Sequence, residues 1–253
     1  MQVIFIHHSC FLVEVDEKVL IFDFFQGDRV EGFSFTGKIP TYEKDTPIYL
    51  FSSHSHRDHY DLDVLRWSNQ YPNIHYIFSK DIRISPNFLK KHGIDPKVRE
   101  KVLFVKPDKE YELDKIKIET LPSTDAGVAF YVSVQGVYLF HAGDLGDWRM
   151  SHVGELLNGK MKREYQHQIR KLADKPIHVA FLPMDPRLNE YQFEGVDYFL
   201  KNTQAEYIFP MHMWQNYEGI VKYKHRLTNR AMAERIIEVE RENQVFLFGE
   251  NYL

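Results

Sequence analysis

The sequence has little that would tie it to an oxidising compartment, a membrane or a nucleic acid. One cysteine in 253 residues, Cys10, excludes an internal disulfide and a zinc site built from thiolate pairs. The amino-terminal apolar runs are interrupted by His7, His8 and Ser9, and they fit neither a signal peptide nor a membrane span. A net charge of −4 gives no broad attraction to nucleic acid or anionic lipid. These features predict a cytoplasmic protein without nucleic-acid or membrane partners.

The composition and the apolar pattern predict one α/β domain over residues 1–253. Apolar residues make up 43% of the chain, which is enough for a substantial core. Short apolar runs bounded by turn residues predict strands at Val3–Ile6, Phe11–Val15, Val19–Phe22, Pro47–Phe51, Ile74–Phe78, Val102–Val105, Ile116–Leu121, Val128–Val134, Val137–Phe140, Ile177–Leu182, Tyr207–Pro210 and Gln244–Phe248. Helices are expected after Asp61 up to Tyr71, and over Met161–Ala173, Gly195–Lys201 and Asn229–Glu242.

Histidines are concentrated where one of these strands ends. The segment SSHSHRDHYD follows the continuous apolar run Pro47–Phe51 and supplies His54, His56, Asp58 and His59. In an extended segment, residues two apart point the same way, so His54 and His56 can converge on one cation. Asp58 and His59 could serve a second cation about 4 Å away, and such a pair can share a hydroxide. The alternative is a solvated polar loop. Four ligand-type side chains in six positions argue against it.

The H-x-H-x-D-H pattern resembles the signature of the metallo-β-lactamase superfamily. The stretches HHSCFLVEVDEKVLIFDF, VYLFHAGDLGDW and AEYIFPMHMW are also similar to segments of that family. The resemblance implies an αββα four-layer sandwich with two divalent cations at the strand ends. Zinc is the first expectation, with manganese or iron as alternatives. The branch it resembles most is that of the L-ascorbate phosphate lactonase-like hydrolases, which share the compact length.

The resemblance also assigns roles to distant residues. Asp144 corresponds to the carboxylate that bridges the metals, and His212 to the last imidazole ligand. Asp144 independently follows a strand and the flexible pair Ala142-Gly143, which would present its carboxylate at a strand end. A lone Asp beside Gly is otherwise a common turn former, and only the histidine cluster overturns that interpretation. His212 could alternatively be a core histidine packed near Trp214.

One expected histidine is missing. Members of the superfamily normally carry a third imidazole for the first metal after a middle strand, but TLPSTDAGVAF contains none. Asp125 is the nearest carboxylate and the best replacement ligand, which would favour harder cations. Asp125 could instead only shape the turn from Ser123 to Gly127, and the first site would then lack a ligand.

Several residues are expected to support the metals or the substrate. By the resemblance, His8 lies near the metals without binding them. Asp23 can hold a ligand imidazole through its other ring nitrogen. Arg187 could bind a carboxylate or phosphate, or could lie in solvent beside a proline-fixed turn. Trp148 and Trp214 could wall a substrate pocket, although aromatic residues in such loops are as often simple packing.

These predictions combine into a metallohydrolase with a small-molecule substrate. A hydroxide held between the cations would attack an ester, lactone, amide or phosphodiester, with Asp58 and Asp144 as the catalytic carboxylates. One alternative is a non-hydrolytic metal-binding sensor with a degraded first site. The other is a phosphodiesterase or nuclease of the same superfamily, which would generally need a basic channel that this chain does not show.

Overall fold

The protein is described by a computed structural model that covers residues 1–28 and 30–249. The chain forms two compact units. The first comprises Met1–Lys106 and the chain from Glu242 onward, and the second is Pro107–Arg241. In the part of the chain that the structure describes, the helices are too short or too polar to cross a membrane.

The described residues form strands β1 to β13 and helices α1 to α5. The strands are Gln2–His7, Cys10–Val15, Lys18–Phe22, Ile48–Ser52, Ile74–Ser79, Val102–Val105, Lys109–Leu113, Ile116–Pro122, Val128–Val134, Val137–His141, Val179–Pro183, Tyr207–Met211 and Gln244–Leu247. The α-helices are Pro86–Lys91, Glu155–Arg170, Glu194–Asn202, Glu218–Arg226 and Arg230–Glu234. Short 3₁₀ helices are Leu62–Asn69, Pro96–Lys101 and Pro186–Tyr191.

The first unit is built on a mixed seven-stranded sheet in the order β13-β1-β2-β3-β4-β5-β6. Strands β3 to β6 run parallel, and the remaining pairs are antiparallel. Strand β4 is buried at every position, as its continuous apolar sequence predicts for a central parallel strand. Apolar side chains of β1 to β5 pack against the helical segments that follow β4 and β5, forming a core that includes Leu50, Leu65 and Leu89.

The second unit contains a mixed six-stranded sheet in the order β12-β11-β10-β9-β8-β7. Strands β10, β11 and β12 are parallel, whereas β7 to β10 form an antiparallel meander. Gln135 and Gly136 join β9 to β10 with φ values of 48° and 79°, the left-handed pair that a two-residue hairpin turn requires. The sequence predicts a hairpin here, and the structure has it.

The sequence-based elements differ from the structure mainly in the second unit. A helix over Asn229–Glu242 is wrong, because only Arg230–Glu234 is helical and Ile236 then forms a parallel bridge to Ile208 at the edge of the sheet. The strand expected from Ile177 begins at Val179, and α2 begins at Glu155 rather than at Met161. Strand β7, Lys109–Leu113, was not expected, since its sequence KEYEL is mostly charged.

Candidate metal centre

Six of the seven predicted ligands, all but Asp125, follow the carboxyl ends of parallel strands. His54, His56, Asp58 and His59 follow β4, and Asp23 follows the neighbouring β3. In the second unit Asp144, Asp185 and His212 follow β10, β11 and β12. Carboxyl ends of neighbouring parallel strands share one edge of a sheet, so each sheet gathers its own set of ligands.

In the first unit, the histidine segment leaves β4 through a series of bends and a turn. The amides of His59 and Tyr60 donate to the carbonyl of His56, so the chain turns there rather than staying extended. The turn brings the rings of His56 and His59 within 4.4 and 4.2 Å of the ring of His54, measured between centroids. His54 and His59 are buried and His56 is exposed. The sequence-predicted cluster is therefore assembled inside one unit.

Asp23 fixes the orientation of this cluster. Its fully buried carboxylate accepts hydrogen bonds from the amide and the hydroxyl of Ser53, both at 2.7 Å. The same carboxylate lies 2.8 Å from Nδ1 of His59. An ionised carboxylate only accepts, so its contact with Asp23 assigns the proton of His59 to Nδ1 and leaves the lone pair on Nε2. This is the contact that the sequence predicts for Asp23.

The second unit brings Asp144 and His212 together. Nε2 of His212 lies 3.6 Å from Oδ1 of Asp144, and both side chains are almost completely buried. Nδ1 of His212 lies 2.9 Å from Oδ2 of Asp185. Asp185 therefore holds His212 in the same tautomer that Asp23 imposes on His59. Asp185 comes shortly after β11, and the sequence analysis assigns it no role.

Asp185 is surrounded by donors. Arg187 contributes its amide, Nε and Nη2, with the shortest contact at 2.6 Å, and Trp214 donates through Nε1 at 3.0 Å. Burial alone would raise the pKa of Asp185, but the hydrogen bonds from His212 and Arg187 outweigh it and hold the pKa well below its usual range. Asp185 is consequently an anion in the folded protein.

The interatomic distances fall into two classes with different meanings. The Nδ1 to carboxylate distances of 2.8 and 2.9 Å are hydrogen bonds. The Nε2 to carboxylate distances, 3.7 Å from His59 to Asp58 and 3.6 Å from His212 to Asp144, exceed normal hydrogen-bond length. Metal bonds of about 2.0 to 2.2 Å separate two ligands of a tetrahedral ion by about 3.3 to 3.6 Å. The 3.6 Å distance lies within this spacing and the 3.7 Å distance is 0.1 Å beyond it, so in each unit the two groups are close to the separation of ligands that share a cation.

Three residues of these sets have left-handed backbones. His8, Asp23 and His212 have φ values of 48°, 48° and 59°. Each such conformation costs a non-glycine residue on the order of 1 kcal/mol, and strain of this kind collects at functional sites. Nine other non-glycine residues in the described part of the chain share this conformation, so it is not confined to the proposed ligands and their partners.

His8 lies closer to the ligands than the sequence implies. Its Nε2 is 3.4 Å from Oδ2 of Asp58, and its ring centroid is 5.9 Å from that of His59. The side chain is fully buried.

Asp125 lies on a loop that is pinned to the loop carrying Asp144. The hydroxyl of Thr124 donates to the carbonyl of Gly146 at 2.6 Å and accepts from the amide of Gly146 at 3.0 Å. The amide of Asp125 donates to the hydroxyl of Ser123, and the Asp125 side chain is exposed. Thr124 therefore joins the two loops by hydrogen bonds, and metal binding by Asp125 stays a prediction.

The two tryptophans flank His212. The ring centroids of Trp148 and Trp214 each lie 5.4 Å from the imidazole centroid, and both contacts are T-shaped. The Trp148 indole also donates to the carbonyl of Asp144 at 2.7 Å. Arg187 lies over the Trp214 ring at 4.5 Å while it pairs with Asp185, and its side chain remains 60% exposed. These contacts stabilise the surroundings of His212, and substrate binding by the three residues stays a prediction.

Comparison with known families identifies the protein class. A family model described as the beta-lactamase superfamily domain matches residues 2–212. The chain therefore belongs to the beta-lactamase superfamily. The α/β fold class is confirmed, with two mixed sheets and their helices. No curated protein sequence matches the chain.

Solved structures with this fold differ in their chemistry. A proposed metal-dependent hydrolase from Parabacteroides distasonis is 19% identical, with a TM-score of 0.57. The alignment covers 96% of this chain and 93% of that protein. Human tRNase Z, short form, is 10% identical, with a TM-score of 0.57 and coverage of 98% and 99%. CmlA, a diiron β-hydroxylase from Streptomyces venezuelae, is 11% identical, with a TM-score of 0.52 and coverage of 94% and 47%. At these identities the likeness shows the fold alone.

Proposed function

We propose that the chain is a metal-dependent hydrolase that cleaves an ester, lactone, amide or phosphodiester bond of a small molecule. The observation that carries this proposal is the pairing of two buried imidazoles, those of His59 and His212, each with one carboxylate at hydrogen-bond distance and another near ligand-to-ligand distance. Membership of the beta-lactamase superfamily supports the same conclusion. The proposed ligands are His54, His56, Asp58 and His59 in the first unit and Asp125, Asp144 and His212 in the second, and the proposed cofactor is two divalent cations.

The residues of the chain would divide the work. Asp23 and Asp185 hold His59 and His212 with Nδ1 protonated, which keeps each Nε2 as an electron-pair donor. Divalent cations, when bound, lower the pKa of water and polarise the electrophilic oxygen of a substrate. Asp58 and Asp144 are the carboxylates that we propose to accept the proton of the attacking water and pass it to the leaving group.

The donor set supports zinc first and leaves room for manganese or iron. Imidazole nitrogen is a borderline ligand that suits zinc and iron, whereas carboxylate oxygen suits harder cations. Within the superfamily, we propose the L-ascorbate phosphate lactonase-like branch, on the compact length that its members share with this chain. Lactones, including phosphorylated ones, are therefore the first substrates to assay.

The proposal is tested with Asp144→Ala and His56→Ala. We expect each variant to lose metal-dependent hydrolysis of a lactone, ester and phosphodiester panel, while circular dichroism stays that of the wild-type fold. His75→Ala, which removes an imidazole from β5, is the matched control and should keep both metal and activity. Full activity of either ligand variant at equal metal content would refute the scheme. A wild-type protein that binds metal but hydrolyses no member of the panel would favour the sensor alternative.

A further inference from the structure

The sequence leaves one metal-binding position without its usual histidine, and the structure places an additional histidine beside a different pair of ligands. His8 lies in the turn between β1 and β2, at the end of the first hairpin. Asp58 and His59 reach the same place from the loop after β4. All three belong to the first unit.

We infer that His8 is a direct metal ligand that completes, with Asp58 and His59, a three-residue cation site. The inference rests on the proposed function, because it adds a ligand to the same metal centre. Nε2 of His8 lies 3.4 Å from Oδ2 of Asp58, and Nε2 of His59 lies 3.7 Å from the same oxygen. One ligand-type atom from each of the three residues lies within 4.8 Å of those of the other two.

A hydrogen bond between His8 and Asp58 is the competing explanation, and the distance argues against it. Nitrogen-to-oxygen hydrogen bonds have lengths of about 2.7 to 3.2 Å, and those to a carboxylate are at the short end. The two imidazole–carboxylate hydrogen bonds of His59 with Asp23 and of His212 with Asp185 have such lengths, 2.8 and 2.9 Å. The separation of 3.4 Å instead equals the spacing of about 3.3 to 3.6 Å between two ligands of one tetrahedral ion.

The surroundings of His8 support a functional side chain. The imidazole is fully buried beside the rings of Phe25 and Phe35, at 6.0 and 5.6 Å between centroids. This packing restricts the ring and keeps Nε2 on the side of Asp58.

If His8 is a ligand, the two proposed cations differ in the number of imidazoles that bind them and therefore in affinity. A cation held by Asp58 and His59 gains an imidazole, whereas the position of His54 and His56 lacks the histidine that relatives normally supply. We therefore expect a chelator to remove one cation more readily than the other. Replacing His8 should weaken the tighter of the two by at least about tenfold.

Direct ligation is tested by NMR of the full chain loaded with a spin-active cadmium isotope. Imidazoles bound to cadmium show a scalar coupling between the metal and the ring nitrogen, and hydrogen-bonded imidazoles do not. We expect His8→Gln to lower the number of coupled rings by one. His75→Gln, which removes a histidine from β5, should leave that number unchanged. Thermal unfolding of the metal-free variants checks that each is folded.

The outcomes separate this inference from the proposed function. A His8→Gln protein that is folded and keeps every coupled ring would overturn the inference and leave the hydrolase proposal intact. His59→Gln should also lose a coupled ring, since His59 belongs to the proposed site in either case. A wild-type chain with no cadmium-coupled imidazole would instead overturn the metal centre as a whole. If His8→Gln does not fold, His8→Asn provides the second variant, because asparagine tolerates a left-handed backbone.

Discussion

Asp23→Asn should impair metal binding by reversing a tautomer rather than by removing a ligand. The amide of Ser53 can only donate, so the oxygen of the new asparagine must remain on that amide, where Oδ1 of Asp23 now accepts at 2.7 Å. Its NH₂ group then takes the place of Oδ2 and donates to Nδ1 of His59, 2.8 Å away. Nε2 becomes the protonated nitrogen and loses the lone pair that a cation needs.

The size of the effect follows from that reversal. Loss of a carboxylate partner of a metal-binding histidine costs about 10- to 100-fold in metal affinity, or about 1.4 to 2.8 kcal/mol. The loss of metal affinity in Asp23→Asn should be about 100-fold or more, because the asparagine amide donates to Nδ1 of His59 and so stabilises the tautomer that cannot bind metal through Nε2. Asp23→Ala should weaken metal binding less, since His59 is then free to choose its tautomer. Alanine leaves the buried Ser53 amide without an acceptor, which destabilises the metal-free fold by about 1 to 3 kcal/mol.

Two measurements on each variant separate the effect on metal affinity from the effect on the stability of the metal-free protein. Competition with a chromophoric chelator gives the metal affinity, and urea unfolding of the metal-free protein gives the stability. Asp61→Asn is the control, because Asp61 is a buried carboxylate that accepts from the amides of Gln26 and Asp63. If Asp23→Asn binds metal as tightly as Asp23→Ala, or more tightly, the tautomer argument fails.

Three further predictions concern the second unit. Asp125→Ala should lower occupancy at one metal position by elemental analysis, and unchanged occupancy would mean that Asp125 is not a ligand. Asp185→Asn should weaken metal binding. It should also lower the free energy of unfolding by about 1 to 3 kcal/mol, because Arg187, Trp214 and His212 all donate to that carboxylate. An unchanged midpoint of urea unfolding would contradict this prediction. Gly136→Ala should cost about 1 to 2 kcal/mol in the same assay, since φ is +79° there; Gly249→Ala should be nearly neutral.

The first ligand set was predictable because its information is local. A buried parallel strand has a continuous apolar sequence, and His54, His56, Asp58 and His59 lie within a few residues of its end. Their proximity needed no knowledge of the tertiary fold. Asp144 could be placed at a strand end from its own surroundings, but its partnership with His212 came only from the family resemblance.

Contacts between distant segments escaped prediction. Asp185 and His212 are 27 positions apart, and they meet because β11 and β12 are neighbouring parallel strands. The sequence does contain evidence for this contact, because Asp185 and His212 each follow the end of an apolar strand. The failed helix at Asn229–Glu242 has a similar origin, because pairing of Ile236 with Ile208 outweighs local helix propensity.

The two units orient an imidazole by the same arrangement, but they depend on it differently. In each unit an aspartate after one strand holds a histidine that follows the next parallel strand: Asp23 after β3 holds His59 after β4, and Asp185 after β11 holds His212 after β12. In the second unit, His212 directly follows Met211, which is paired in register with Pro183. Sheet register therefore sets this contact almost alone. His59 reaches Asp23 only through the turn closed on the His56 carbonyl. Insertions in that turn should release His59 from Asp23, whereas the His212 contact should withstand any change that preserves the register of β11 and β12.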